Sequence, residues 1–170
     1  IINKPKGYVS TVNDQFGRKS VIDLVPRSMR VYPVGRLDYN TTGLLILTND
    51  GELTYKLTHP SHQVKKEYTA LVSGKLGAHA LDKLRNGVDI GGFITSAALV
   101  DIIDESKSKS SVRVIIHEGK NRQVRRMFEA VGSRVLELER SAIGDLRLSG
   151  LEEGSFRELT DDELLYLKGL

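Results

Sequence analysis

The 170-residue sequence contains no cysteine, which excludes disulfides and thiolate metal sites. No apolar run approaches the ~18 residues of a membrane-spanning helix, and residues 1–5 lack the basic, apolar and small-residue succession of a secretory signal. His59 and His62 lie three residues apart, but no carboxylate or cysteine accompanies them, so we expect no metal site. The sequence also has no P-loop, dinucleotide-binding fingerprint or HExxH helix. These absences favour a cytoplasmic protein without a common cofactor-binding motif.

The composition is ordinary for a globular protein, with 39% hydrophobic and 28% charged residues and a net charge of +3. A chain of this length can bury one sizeable core, so we predict a single domain over residues 1–170. We expect a monomer, because the sequence shows no heptad pattern and no unusually apolar strip. The basic residues are unevenly placed, and a patch that could contact a phosphate backbone is formed by Lys120, Arg122, Arg125 and Arg126.

Predicted strands outnumber predicted helices, and no βαβ series repeats along the chain. We therefore predict an α+β domain with a largely antiparallel mixed sheet flanked by a few helices. The main predicted strands are residues 1–4, 44–47, 64–73, 97–104, 111–117 and 134–143. Four main helices are predicted. The first is capped by Asp50, the second and third cover residues 78–86 and 121–132, and the fourth begins at a capping box at Thr160.

The stretch from residue 33 to 50 places Arg36 and Asp38 in a turn-rich loop that leads into the apolar run 44–47. A charged residue close to a buried strand lies where a rigid element can hold a catalytic group accurately. The alternative interpretation is a surface salt bridge between Arg36 and Asp38. Residues alone leave both interpretations open.

A second informative stretch is residues 118–132, which predicts a helix capped by Asn121 and ended by Gly132. Arg125 lies at the border of the helix's periodic apolar face. From this position an arginine side chain can reach toward the protein core. A buried arginine needs an anion, and Asp38 is a candidate. The alternative is that the arginines of this helix are solvated. Tyr68 falls on the apolar face of the strand 64–73, a position typical of a core tyrosine.

Taken together, these stretches resemble the four motifs of the RsuA/RluB-type ribosomal RNA pseudouridine synthases. The motifs occur in the family's order and span nearly the whole chain: NKPKG at 3–7, GRLDYNTTGLLILTNDGEL at 35–53, KEY at 66–68 and EGKNRQVRRMF at 118–128. The resemblance implies the pseudouridine synthase catalytic fold, with an RNA cleft between two lobes. It also implies an isomerase that converts a specific uridine in ribosomal RNA, expected to be large-subunit RNA, without a metal or organic cofactor.

The resemblance implies that Asp38 is the catalytic aspartate and that Arg125 pairs with it. Tyr68 would lie against the target uracil and could take the C5 proton as a base. Arg36 would fill the gap left when the uridine is flipped out of a stem-loop or irregular helix. The remaining RNA-contacting residues would be Lys120, Arg122 and Arg126 on phosphates, and Lys4, which with Pro5 shapes the floor of the site.

The resemblance leaves the chemical path open, since the aspartate could bond to C1′, bond to the base, or act through a glycal. Proteins of this type usually carry an S4-like RNA-binding domain before the first motif. Either this chain belongs to the shorter members of the group or such a domain was removed upstream of Ile1, and we expect the second. Two alternative functions remain. The chain could be a non-catalytic ribosomal-RNA-binding assembly module, or it could hydrolyse the N-glycosidic bond and release free uracil.

Overall fold

The computed structural model describes residues 1–170, which form nine strands and four α-helices. The strands are β1 Ile2–Lys4, β2 Tyr32–Pro33, β3 Thr42–Leu45, β4 Leu47–Thr48, β5 Lys66–Ser73, β6 Leu99–Glu105, β7 Lys109–Ile116, β8 Val135–Ile143 and β9 Leu146–Arg147. The α-helices are α1 Gly51–Thr58, α2 Ala78–Asn86, α3 Gln123–Ala130 and α4 Asp161–Gly169. Short 3₁₀ helices cover Val21–Leu24, Arg27–Met29 and Pro60–His62. No helix is long and apolar enough to cross a membrane.

The chain divides into two compact units. The first unit contains Ile1–Val64 and Arg140–Leu170, and the second contains Lys65–Glu139. Each unit has a hydrophobic core of its own. The prediction of an α+β protein with a mixed sheet is confirmed, whereas the single domain and the RNA cleft remain predictions.

In the first unit, β3 lies between β1 and the end of β8, and β9 continues from β8 as an antiparallel hairpin. The antiparallel register of β1 and β3 pairs Ile2 with Leu45 and Lys4 with Gly43. A separate two-stranded sheet joins β2 to β4. The core of this unit lies between its strands and the helices α1 and α4. Its buried residues include Leu44, Ile46, Leu53, Leu57, Ile143 and Leu167.

The apolar run 44–47 was predicted as one buried strand, and this prediction is wrong. The chain leaves β3 after Leu45 and enters β4 at Leu47, so the run belongs to two different sheets. Ile46 lies at the change, where its carbonyl accepts a hydrogen bond from the Val34 amide at 2.8 Å. Leu47 is only half-buried.

The helix after this run begins as predicted, because the Asp50 carboxylate accepts a hydrogen bond from the Leu53 amide at 3.0 Å. At its other end the His59 ring stacks on Tyr55, with ring centroids 4.6 Å apart. The His59 Nδ1 atom lies 2.7 Å from the Ser61 hydroxyl. This histidine is therefore used in local packing and hydrogen bonding.

In the second unit the strand order is β8, β5, β7, β6. The antiparallel register of β5 and β7 pairs Tyr68 with Val114 and runs from Lys66 to Ser73. The predicted alternation of β5 is confirmed, since Ala70 and Val72 are buried. Helix α2 has the predicted bounds. The polar residues 105–110 predict a mobile connector between two strands, but Ser110 is instead a fully buried residue of β7, where its hydroxyl donates to the Gly74 carbonyl at 2.7 Å.

Helix α3 begins at Gln123, one residue later than a cap at Asn121 would place it, so the predicted cap is wrong. Its cap position is Arg122, whose φ of 50° lies in the left-handed region. No side chain caps this helix, but the Gln123 side chain accepts a hydrogen bond from the Lys120 amide at 3.0 Å and so ties the first helical residue to the preceding loop. At the other end, Gly132 follows the helix at φ 81°, as predicted for a terminating glycine.

At Gly43 the backbone of β3 lies close to the backbone of Arg140 in β8. This contact predicts that Gly43→Ala lowers the stability of the protein strongly. The φ of Gly43 is 105°, and a Cβ there would lie 2.7 Å from the Arg140 amide nitrogen and closer still to the Arg140 carbonyl oxygen. We expect Gly43→Ala to lower the free energy of unfolding by roughly 3 kcal/mol or more, because backbone would have to move. Urea denaturation measures the change.

Gly150→Ala is the matched control, since Gly150 also has a left-handed φ, 78°, but nothing within 4 Å of its Cβ position. It should cost only about 1–2 kcal/mol, the strain of a side chain at that φ. Equal losses in the two variants would show that the β3–β8 contact is not close enough to exclude a methyl group.

Candidate active site

Asp38 lies in the loop between β2 and β3 and is half-buried. The backbone holds this loop on both sides of the aspartate. The Gly7 amide donates to the Tyr39 carbonyl at 2.9 Å, and the Thr41 amide donates to the Asp38 carbonyl at 3.0 Å, closing a tight turn. The position of the carboxylate is therefore set by main-chain hydrogen bonds.

A serine on the preceding segment fixes the residue before Asp38. The Ser10 hydroxyl donates to the Leu37 carbonyl at 3.0 Å and accepts a hydrogen bond from the Leu37 amide at 3.1 Å. The Leu37 side chain is buried, with 6% of its surface exposed. Since both backbone groups and the side chain of Leu37 are engaged, the neighbouring Arg36 and Asp38 have little freedom to rotate away.

Lys4 lies beneath this loop and is wholly buried. Its ammonium donates to the carbonyl of Pro5 at 3.0 Å and to that of Thr41 at 2.9 Å. Burial lowers the pKa of Lys4 from 10.5 to about 8, while the negative charges of Asp38 and Glu153 act in the opposite direction. A phosphate cannot reach this ammonium in the structure, so we place Lys4 in the floor of the site.

The loop opens onto a cleft of about 480 Å³ in the first unit. Arg36, Asp38 and Tyr39 line one side, and residues 9–18 line most of the rest. Arg36 is exposed, as a residue that contacts a ligand in the cleft must be. The sequence predicts a short strand at residues 8–10 and a polar loop at 13–19, and neither pattern indicates that this segment forms a wall of the cleft.

Arg140 was also missed, although β8 carries a signal for it. The alternation of this strand places Arg140 in series with the buried residues Leu138 and Ala142, so a charge falls on an apolar stripe. Its side chain is 4% exposed, and its Nε atom donates to the Leu44 carbonyl at 2.8 Å. The guanidinium thus braces β3 directly after the Asp38 loop.

Tyr68 lies in the second unit on β5, where it is half-buried and packs at the edge of that unit's core. Arg125 of α3 is buried, with 5% of its surface exposed, as its predicted place at the border of the apolar face allows. One of its guanidinium nitrogens donates to the Val135 carbonyl at 3.4 Å. Burial of an arginine is costly unless the guanidinium is hydrogen-bonded or paired.

The basic residues around α3 have different environments. Arg122 is exposed, whereas the Arg126 guanidinium donates to the carbonyls of Ile90 and Gly91 and so ties the turn at residues 90–93 to α3. The Lys120 ammonium lies 4.4 Å from the centre of the Phe93 ring, within cation–π range. Arg122 is therefore more accessible to a phosphate than Arg126.

The segment before α3 is held in place by Glu118. Its carboxylate accepts hydrogen bonds from the Ser96 amide at 2.7 Å and from the Gln123 side-chain amide at 3.1 Å. Residues 118–123 thus form a defined loop that presents Lys120 and Arg122 to solvent.

The model of the RNA pseudouridylate synthase family matches residues 1–130. This chain belongs to that family. The matched segment contains each of the four motifs and the residues Asp38, Tyr68 and Arg125.

Full-length comparisons agree with the family match. The chain is 44% identical to ribosomal large subunit pseudouridine synthase B of Bacillus subtilis over its whole length, and covers 71% of that protein. It is 39% identical to the dual-specificity RNA pseudouridine synthase RluF of Escherichia coli, with 98% of this chain and 56% of that protein aligned. These relatives confirm the resemblance to RsuA/RluB-type synthases.

Solved structures support the fold. A crystal structure of a pseudouridylate synthase superposes with a TM-score of 0.89 at 32% identity, covering 98% of this chain and 71% of the other. The chain spans 56–71% of the length of the curated relatives described above. The pseudouridine synthase fold predicted from the motifs is therefore confirmed.

The low pKa of Lys4 predicts a pH-dependent stability that Lys4→Met removes. The amine is protonated in both states below about pH 8, whereas between pH 8 and 10.5 the unfolded chain binds more protons. Stability contributed by Lys4 must therefore rise with pH through this window. We expect the difference in free energy of unfolding between wild type and Lys4→Met to be about 1–2 kcal/mol larger at about pH 9.5 than at about pH 7.

Urea denaturation at the two pH values measures this difference. Lys6→Met, a change at an exposed lysine two residues away, is the control and should show no such dependence. If wild type and Lys4→Met differ by the same amount at both pH values, the amine is not desolvated as the structure indicates.

Proposed function

We propose that the chain is the catalytic part of an RNA pseudouridine synthase that isomerises a specific uridine in ribosomal RNA, with large-subunit RNA as the expected substrate. The observation that carries this proposal is 44% identity over the whole chain to a ribosomal large subunit pseudouridine synthase, with the GRLD motif intact at residues 35–38. We expect the protein to act in the cytoplasm as a monomer on a stem-loop or irregular helix.

Asp38 is the residue that we propose to carry the chemistry. The reaction detaches uracil from C1′, turns it so that C5 faces the sugar and rejoins it, which requires a group that attacks or stabilises the anomeric centre or the base. A carboxylate can do either. The fixed turn around Asp38 and its place in the wall of the cleft support this role, since a catalytic group must be both held and accessible.

Arg125 and Tyr68 complete the proposed catalytic set. A buried arginine paired with Asp38 would keep the carboxylate ionised and aimed. Tyr68, half-buried on β5, offers a ring for the target uracil and a hydroxyl that can take the C5 proton. Arg36, exposed in the cleft wall, would occupy the gap left by the flipped uridine.

Asp38→Asn tests the assignment. We expect it to abolish tritium release from C5-labelled uridine in large-subunit ribosomal RNA, because an amide supplies neither the nucleophile nor the negative charge of the carboxylate. Asp104→Asn, a change at an exposed carboxylate of β6, is the matched control and should leave the rate unchanged.

RNA binding and product analysis complete the test. Asp38→Asn should bind RNA nearly as well as wild type, whereas a wild-type protein that binds RNA without releasing tritium would favour the non-catalytic assembly module. Free uracil among the products would indicate N-glycosidic hydrolysis instead.

The different environments of Arg122 and Arg126 predict different effects of removing them. Arg122→Gln should weaken RNA binding and reduce the slope of log affinity against log salt by about one, as loss of one phosphate contact requires. Arg126→Gln should mainly lower the free energy of unfolding, by about 1 kcal/mol, since its guanidinium holds the turn at residues 90–93. Binding titrations at several salt concentrations measure the salt slope, and urea denaturation measures the stability of each variant. The prediction is wrong if Arg126→Gln keeps the wild-type stability and lowers the slope of log affinity against log salt by about one.

A further inference from the structure

The cleft beside Asp38 has a wall that no motif accounts for. Residues 9–18, which we call the arm, supply most of its lining. Sites that hold small ligands typically enclose several hundred cubic ångströms, so about 480 Å³ leaves room for more than a single uracil. The part of the cleft along the arm therefore has space for a second group of the ligand, besides the uracil at Asp38.

The arm has a defined shape. Its base is closed by main-chain hydrogen bonds, from the Val9 amide to the Lys19 carbonyl at 2.9 Å and from the Val21 amide to the Val9 carbonyl at 3.0 Å. Near its tip the Asp14 carboxylate accepts hydrogen bonds from the amides of Phe16 and Arg18, at 3.2 and 2.8 Å. The same carboxylate pairs with the Arg18 guanidinium at 2.6 Å.

This turn presents Phe16 to solvent. The Phe16 side chain is 80% exposed, more than any other large hydrophobic side chain of the protein, and it lines the cleft with Asp38. The Arg18 guanidinium lies 5.2 Å from the centre of its ring. The turn closed by Asp14 therefore holds the Phe16 ring in an accessible position at the cleft, where a flat ligand group can stack on it.

The surroundings of the ring indicate the class of that ligand. Lys19 and Arg36 are exposed cations on or near the cleft, while Arg18 and Asp14 compensate each other's charge as an ion pair. Tyr39, which is 52% exposed, lies in the same cleft and adds a second aromatic ring. Flat rings among cations are the arrangement that binds unpaired nucleotides, because bases stack on the rings and phosphates meet the charges. An acidic peptide would use the cations but not the exposed ring.

We propose that Phe16 of the arm is a platform for an unpaired base next to the target uridine, with Arg18 and its Asp14 partner holding that platform in place. The proposal rests on the proposed function, since it takes the nucleotide in the cleft to belong to the same RNA whose uridine reaches Asp38. It assigns a role in substrate binding to residues outside the four motifs.

Binding to a fluorescently labelled single-stranded oligouridylate tests the platform without requiring the natural target. We compare wild type with Phe16→Ala, which removes the ring, and Phe16→Tyr, which keeps it. Phe16→Ala should raise the Kd by about tenfold with an unchanged salt slope, because stacking on one base is lost and no charge is removed. Phe16→Tyr should bind like wild type. Circular dichroism verifies that each variant is folded, as expected for changes at an exposed side chain.

Val12→Ala is the matched control, since Val12 is an apolar residue of the same arm that is 59% exposed but does not line the cleft. It should leave the Kd unchanged. Ultraviolet crosslinking of the oligouridylate to wild type, read by mass spectrometry of the peptides, should place the crosslink on Phe16. Equal affinities of Phe16→Ala and Val12→Ala, or equally effective competition by oligoglutamate, would overturn the proposal.

Kinetics on large-subunit ribosomal RNA distinguish failure of this inference from failure of the proposed function. If both hold, Phe16→Ala raises the KM for tritium release while leaving kcat within about twofold, because the ring contributes equally to the ground and transition states. An unchanged KM in an active enzyme rejects the platform alone. Absence of tritium release in wild type, together with Phe16-dependent oligouridylate binding, rejects the isomerase and keeps the RNA-binding arm.

Discussion

The hydrogen bonds of the buried Lys4 ammonium are the interaction on which the geometry around Asp38 depends. A lysine cannot be buried without partners, and here the carbonyls of Pro5 and Thr41 supply them. Thr41 closes the turn that contains Asp38, so one ammonium ties β1 to the far side of that turn. The lowered pKa shows that the charge is held there at a cost, opposed by the negative charges of Asp38 and Glu153. The loop that contains Asp38 is thus held by the Lys4 ammonium on one side and by main-chain hydrogen bonds on the other.

In the second unit, the arginines around α3 have three different environments. Around α3, Arg125 is buried, Arg126 holds a neighbouring turn and Arg122 is exposed, although the three lie within five residues of sequence. Their separate tasks follow from the 3.6-residue period of a helix, which turns adjacent side chains to different surroundings. Arg122 is the most exposed of the three, and contact of Arg122 and Arg126 with phosphates remains a prediction.

Short-range signals in the sequence predicted many of the elements correctly. Helix α2 has the predicted bounds, and Asp50 and Thr160 cap α1 and α4 with their side chains, because a cap and a 3.6-residue period are properties of a few neighbouring residues. The run 44–47 and the cap at Asn121 were predicted incorrectly for the opposite reason. Whether Leu45 and Leu47 belong to one sheet or two depends on which distant strands pair with them, and local hydrophobicity carries no such information.

The sequence by itself determined the family, the motif that contains Asp38 and the α+β class, because these depend on residue identity and order along the chain. Only the tertiary structure decided that Lys4 is fully buried beneath the Asp38 loop, that Arg140 braces β3 and that the arm with Phe16 forms a wall of the cleft. Each of these contacts joins segments far apart in sequence, and their formation depends on strand pairing and on the cost of burying a charge. Such terms are set by the whole fold, so no local pattern could have specified them.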